Sequence, residues 1–403
     1  KGDIVLDPFC GSGTTLVVAN ELGLNGIGID ISEFNSLISN VKVHNHNLIN
    51  LQREINKIIS SLKIFYYESN RPGFENELQR RLSQFNKKYF PSPDYKYKVK
   101  HGIIDQIRYS KDKDLKFKNI FNKLTQKYNI KLKQSSNESF LAKWDLEPVR
   151  EDINFVYRQL NKVKDKDIRN VLTIILSRTM RSCRATTHTN LATLISPVVS
   201  SYYCRKHYKI CVPIFSILNW LTRYSYDTIK RLSQFNRIRT NTYQICLTDD
   251  SRTINIEGKL KTKQEDLYKL FKHKKIKGIF TSPPYVGLIN YHEQHAYAYE
   301  LFGFDRRDKS EIGPLFKGKS ENAKDDYING ISKVLRNCLK YLEDDFNIFI
   351  VANDKYNLYP KIVKKAGLII VSRFKRPVLH RTEKDKSAYC ETIFHIKKCN
   401  KNE

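Results

Sequence analysis

Residues 4–15, Ile4-Val5-Leu6-Asp7-Pro8-Phe9-Cys10-Gly11-Ser12-Gly13-Thr14-Thr15, pass from an apolar run through an acid and two glycines into a helical spacing. Ile4-Val5-Leu6 reads as a short buried strand, Gly11-Ser12-Gly13 as a turn, and Thr14 to Leu22 as a helix. Glycines at such a turn let the backbone approach a ligand and present N–H groups at a helix N-terminus. The third glycine of a dinucleotide fingerprint is missing, and so is the Lys-Ser/Thr of a phosphate loop. An acid at the strand end, Asp7, suits a cationic group better than a phosphate, which points to a ligand carrying an amino acid. Taken alone, Gly-x-Gly is only what a tight turn needs. A second strand, Gly26 to Ile29, ends at Asp30, where a carboxylate can accept hydrogen bonds from two ribose hydroxyls. The competing reading of Asp30 is an N-cap for the helix that starts near Glu33.

Further out, helical spacing runs from Glu33 to about residue 65, then over about 74–88, 115–128, 150–163, 167–183 and 214–236. Strand character returns at Gln244–Leu247, Gly278–Thr281 and Asn347–Ala352, with helices near 293–302, 323–342 and 359–366 and final strands near 368–374 and 390–396. Strands alternating with helices at both ends imply a parallel α/β sheet. The spacing divides the chain into an α/β domain, 1–49 plus 241–399, interrupted by a helical domain, 50–240. Residues 51–240 carry 38 Lys and Arg against 16 Asp and Glu, while the whole chain has a net charge of +29. A basic insertion of this kind suits a polyanion; a Lys-, Asn- and Ile-rich genome would give the same excess on solvated faces.

Thr281-Ser282-Pro283-Pro284-Tyr285 directly follows a strand. Two prolines fix the backbone and carry no N–H, so carbonyls point at a fixed place. An exocyclic base amine has two hydrogens, which Ser282 Oγ and the Pro283 carbonyl can accept. Tyr285 can stack on a base once that base leaves the helix. In isolation the stretch reads better as a proline turn with a buried tyrosine; coupled to the glycine turn and Asp30 it does not.

Together the two segments resemble the cofactor and catalytic motifs of the amino-methylating (N4-cytosine and N6-adenine) DNA methyltransferases. The resemblance implies an α/β, Rossmann-like class I S-adenosylmethionine-dependent methyltransferase sheet with a large, mostly helical basic insertion. It implies that Asp7, Phe9, Gly11, Gly13 and Thr14 line the methionine side of S-adenosylmethionine, that Asp30 takes the ribose and that Asp250 contacts the adenine. Ser282, Pro283, Pro284 and Tyr285 would be the catalytic loop. Ser at the first position is commoner among N4-cytosine enzymes in that family, Asp or Asn among N6-adenine enzymes. The order of cofactor motif, insertion and catalytic motif resembles the subgroup with target recognition between the two. The leading expectation is therefore a site-specific N4-cytosine methyltransferase of double-stranded DNA in a restriction-modification or related system. N6-adenine specificity, RNA guanine-N2 methylation and a catalytically incomplete DNA-binding subunit are the alternatives. In this motif order a further element on the methionine end lies upstream of the cofactor motif, and the sequence starts at Lys1. A partner chain supplying that element, or a cognate restriction endonuclease, is the corresponding expectation.

Cys204-x2-His207-x3-Cys211, with Cys183 as a fourth ligand, has residue types that suit zinc; small buried thiols are the plain alternative. Arg178, Arg181 and Arg184, three apart, suit DNA phosphates along one helical stripe or a solvated face. His292 and His295 fall just after the catalytic loop, as structural groups or DNA contacts. No apolar run approaches the length of a membrane span, no signal peptide pattern is present and the eight cysteines are scattered, so a reducing cytoplasm is expected.

Overall fold

The computed structural model describes residues 1–132, 139–190, 194–378 and 389–399. Its first elements are β1 (Ile4–Asp7), α1 (Thr14–Glu21), β2 (Asn25–Asp30) and α2 (Glu33–Val43). Helices α3 (Leu48–Tyr67), α4 (Arg71–Tyr89), α5 (Asp94–Lys100), α6 (Gln106–Lys127), α7 (Phe140–Trp144), α8 (Glu147–Asn161) and α9 (Lys166–Cys183) follow. A hairpin of β3 (Tyr202–Cys204) and β4 (Lys209–Cys211) precedes α10 (Leu218–Ile238). Then come β5 (Gln244–Thr248), α11 (Ile256–Lys263), α12 (Glu265–His273), β6 (Ile276–Thr281), α13 (Tyr291–Gln294) and α14 (Ala296–Phe302). The last are α15 (Glu321–Leu339), β7 (Leu342–Ala352), α16 (Tyr359–Lys365), β8 (Leu368–Val378) and β9 (Tyr389–Lys398).

Seven strands form one sheet in the order β5-β2-β1-β6-β7-β9-β8. The first five are parallel, while β9 runs antiparallel between β7 and β8. This is the α/β sheet expected from the alternating elements, with β9 as its antiparallel exception, and the Rossmann-like class that the resemblance implies; chain order reverses between β1 and β6. Burial explains the apolar runs: Ile4, Leu6, Ile27, Ile29, Ile276, Ile348 and Ile350 lie fully inside one core cluster with α15 and α16. Continuous apolar strands are what a sheet covered on both faces requires. At the irregularity in β6, Gly278 lies where a Cβ would meet the Asn347 carbonyl oxygen at 2.4 Å, so a side chain there would push apart the strand that carries residue 281.

The chain forms two compact units, Lys1–Asn45 with Gln234–Glu403 and His46–Ser233. Spacing sets the limits at 1–49/241–399 and 50–240, whereas the compact units part at 45/46 and, inside α10, at 233/234, where the helical pattern gives no break. The helical run expected from Glu33 to about 65 is in fact two helices, α2 and α3, the second capped by Asn47 accepting from the Asn50 N–H. The expected helix near 293–302 is likewise broken at His295 into α13 and α14. Within His46–Ser233 the helices pack through aromatic rings, among them Phe65 stacked on Phe155 at 4.4 Å and Phe74 edge-on to Phe215 at 5.0 Å. Arg71 and Asp152 form a buried ion pair there, 2.7 Å apart. Among the described residues no helix is long and apolar enough to cross a membrane.

Candidate active site

Ligands of open α/β sheets bind beyond the carboxyl ends of the strands where chain order reverses, here β1 and β6. A cleft of about 150 Å³, partly open to solvent, lies at that place. From the cofactor-type motif it takes Pro8, Phe9 and Gly11; from β2 and its extension Asp30, Ile31, Ser32 and Asn35; from beyond β5 Asp250 and Ser251. Ser282 and Pro284 enter from the loop after β6, and Tyr291, His292 and Glu311 close another side.

The glycine turn is built for close approach. Gly13 caps α1 in the left-handed region, φ 78°, and a Cβ there would meet the Ser39 Cα at 2.9 Å. The Gly11 N–H donates to Asp30 Oδ2 at 2.8 Å, while Oδ1 accepts from the Ser32 N–H at 2.9 Å and from Asn35 Nδ2 at 3.2 Å. The N-cap of α2 is Ser32, so Asp30 does not cap that helix. Burial pushes the Asp30 carboxyl up to about 6 against these three donors. Three of its roughly four acceptor positions are thus filled within the protein, leaving room for one more donor.

Asp7 differs from the expectation that it faces the ligand. Its carboxylate turns inward: Oδ1 accepts from the Phe9 N–H at 3.1 Å and the Thr281 hydroxyl at 2.6 Å, and Oδ2 from the Thr15 hydroxyl at 2.6 Å. Burial raises its pKa. Its position explains the change, since the end of β1 lies between the start of α1 and the end of β6, whose Thr15 and Thr281 hydroxyls are in reach. Asp7 therefore ties the glycine turn to the residue before Ser282. Ser251 adds a second tie by donating to the Pro8 carbonyl at 2.6 Å.

The remaining expected residues divide. Ser282 is exposed in the cleft and Pro283 is buried beneath it. The Pro284 carbonyl accepts from the Tyr327 hydroxyl at 2.9 Å, which pins the loop. Tyr285 does not line the cleft; its hydroxyl donates to Glu391 Oε1 at 2.6 Å. Gly13 and Thr14 also lie outside the lining, one under Ser39 and the other exposed on α1. Asp250 lines the cleft, with both carboxylate oxygens held by the Arg252 guanidinium at 2.5–3.0 Å. Sequence reasoning missed Glu311, which accepts the Tyr291 and His292 N–H groups at 3.2 and 2.7 Å. It lies on a loop whose sequence has no periodic signal. His292 is 1% exposed, and its ring nitrogens make no hydrogen bond to the described residues. Glu311 Oε1 is 3.9 Å from its Nε2, and burial lowers the imidazole pKa.

Two other expectations need correction. Arg178, Arg181 and Arg184 do not form a stripe, because α9 ends at Cys183 and Arg184 leaves the helix buried. Arg178 pairs with Asp227 at 2.6 Å and lies over the Tyr224 ring, which leaves Arg181 as the exposed member. Cys183 is buried on α9 outside the metal-type cluster, whose fourth member is His188 beside Cys204, His207 and Cys211.

The DNA methylase family model matches residues 1–40, which hold the glycine turn and Asp30. Type II methyltransferase M.MjaII of Methanocaldococcus jannaschii is 47% identical over 400 residues, covering 98% of this chain and 75% of that protein. The chain belongs to the amino-methylating DNA methyltransferases. Type II methyltransferase M.BsoBI of Geobacillus stearothermophilus is 35% identical over 126 residues, 28% of this chain and 25% of that protein. The Probable tRNA (guanine(10)-N2)-dimethyltransferase of Methanothermococcus thermolithotrophicus is 33% identical over 76 residues, 17% of this chain and 47% of that protein. No solved structure matches. The cleft of this methyltransferase suits the S-adenosylmethionine that its family implies. An acceptor at the end of β2, the Gly11 backbone, a second acid beyond β5 and the imidazole of His292 stand in the lining beside apolar surface from Pro8, Phe9, Ile31, Pro284 and Ile312.

Proposed function

We propose that this methyltransferase transfers a methyl group from S-adenosylmethionine to N4 of a cytosine flipped out of duplex DNA. The observation that carries the reading is the Asp7–Thr281 hydrogen bond, which holds the Ser282-Pro283-Pro284 loop against the glycine turn so that Ser282 and Asp30 open into one cleft. In this reading Asp30 accepts from the ribose, the Gly11 turn admits the methionine end, and Asp250 faces the adenine. When bound, S-adenosylmethionine supplies a methyl group on a sulfonium, electrophilic enough for direct attack by an amine, so no enzyme nucleophile is required. Ser282 Oγ and the Pro283 carbonyl accept the two amine hydrogens and turn the nitrogen lone pair out of conjugation with the ring. Ser282 is neutral, which suits a hydrogen-bond acceptor rather than a strong base; as the N–C bond forms the methyl–sulfur bond breaks, and the methylated amine sheds one proton to solvent through the open side of the cleft. Tyr285, held by its hydroxyl on Glu391 outside the cleft lining, would offer its ring to the extruded base only where that base extends past Pro284, a contact of roughly 1–3 kcal/mol. The basic unit His46–Ser233 is the part assigned to the DNA.

The test is mass spectrometry of nucleosides from DNA incubated with the enzyme and methyl donor. N4-methylcytosine is expected, with turnover reduced about 10²–10³-fold in Ser282→Ala, the usual loss when one acceptor aimed at a transition state is removed. N6-methyladenine in its place would move the target to adenine. Methylated RNA beside untouched DNA would overturn the reading.

A further inference from the structure

The most concentrated set of metal-ligating atoms outside the cleft lies in the helical unit. His188, Cys204, His207 and Cys211 each bring one ligand atom within 4.8 Å of all the others. Cys204 and His207 come from the end and turn of the β3–β4 hairpin, Cys211 ends β4, and His188 lies beyond the end of α9. Cys204 Sγ is 3.6 Å from His207 Nδ1 and 3.8 Å from His188 Nδ1, and Cys211 Sγ is 3.6 Å from His207 Nδ1. Both thiols are free and buried.

We propose that these four side chains hold one structural zinc ion. Zn–S bonds of about 2.3 Å and Zn–N bonds of about 2.0–2.1 Å at the tetrahedral angle put sulfur and nitrogen about 3.6 Å apart, the separations found here. Weak thiol hydrogen bonds explain the cluster less well. An unprotonated imidazole nitrogen has one lone pair, yet His207 Nδ1 faces two thiols at the same distance. Two sulfurs and two nitrogens in a closed tetrahedron select zinc over harder cations and leave no position for a substrate, so the site is structural rather than catalytic. Two thiolates and two neutral imidazoles also cancel the charge of the ion, which matters in a unit this rich in lysine. Tyr202 Oη lies 2.8 Å from the same His188 Nδ1, and that nitrogen would exchange this hydrogen bond for the ion.

The fold gives the ion a task. Strands β3 and β4 have three residues each, and a lone hairpin of that size is marginal in water. A four-ligand ion would close the hairpin and fasten it to the segment after α9.

Elemental analysis of the purified, untagged chain tests the proposal, with about one zinc per chain expected. Cys204→Ser and Cys211→Ser should each lose the ion, Cys183→Ser should keep it, and His207→Cys, which preserves four ligands, should retain it. Because a variant can fail through misfolding, chelated wild-type chain is also titrated with Co²⁺, where the absorption of a tetrahedral cobalt thiolate is expected. Wild-type chain without zinc and without that absorption overturns the proposal. So does zinc retained in both Cys204→Ser and Cys211→Ser, or a Cys204–Cys211 disulfide in anaerobically purified protein.

Discussion

In the proposed reading, Asp30 links protonation to binding of the methyl donor. Its carboxyl, pushed up to about 6 by burial, has a ribose hydroxyl as its remaining donor in the reading above, and only the ionised form offers full acceptor capacity. Donor affinity should therefore fall as pH drops through about 6, by up to tenfold per pH unit. Calorimetry with S-adenosylmethionine across that range checks this, with Asp30→Asn expected to bind more weakly and with a flattened profile. Affinity independent of pH in the wild type would remove the assignment. The same shift acts on the unliganded fold with the opposite sense. The folded chain holds the Asp30 proton more tightly than the unfolded chain does, so this residue's contribution to stability declines as pH rises from about 4 to about 6. Asp30 and Ser282, both of which the structure places in the cleft, could be singled out in the sequence because one ends and the other directly follows a strand with a strong pattern. Asp7 was recognised but given the wrong direction, since sequence does not say which way a strand-end carboxylate turns. Cys183 was grouped with Cys204 by residue type alone, although it is 1% exposed on α9, whereas His188 has no local spacing that would have drawn attention.

Most elements were legible where a period persisted over two turns or four strand residues. Helices α4, α8, α9 and α15 and strands β1, β2 and β6 fall close to their expected places, each with an apolar face or run that the core consumes. The hairpin β3–β4 was not foreseen, because three residues per strand carry no alternation. Strands β8 and β9 extend beyond their expected ends because backbone pairing continues from Ile396 opposite Ile370 out to Val378 opposite Tyr389, past the apolar stretch. The helical unit also contains an arrangement that pattern reading cannot supply. Arg71 reaches Asp152 and the Pro148 carbonyl at 2.7 Å each beneath the Phe65 and Tyr66 rings. Even so, burial leaves the Asp152 carboxyl at about 6. Losing one partner from such a pair typically costs 3–5 kcal/mol, because the other charge is stranded.

Charge separates the two units as plainly as packing does. Residues 51–240 hold 38 basic against 16 acidic side chains, yet the arginine stripe once expected on α9 is absent, so lysines and arginines from several helices must share any phosphate contacts. DNA binding should weaken with salt at a log–log slope of about −0.9 per neutralised phosphate. Fluorescence anisotropy over a salt series measures this; affinity that ignores salt would sever the unit from the backbone of DNA. The placement of this unit within the other has a consequence for synthesis. Strand β2 is complete at Asp30, but its neighbour β5 begins at Gln244 and β1's other neighbour at Ile276. At about 5–20 residues per second, β1 and β2 wait on the order of 10–40 s as an unaccompanied pair, too little sheet to persist alone. Meanwhile His46–Ser233, with its own aromatic core, emerges whole. The ribosome should thus deliver the inserted unit folded before the cofactor sheet can close. Chains stalled near residue 240 should exchange the β1 and β2 amides freely while those of α8 and α9 are protected; equal protection of β2 in stalled and finished chains would contradict that sequence of events.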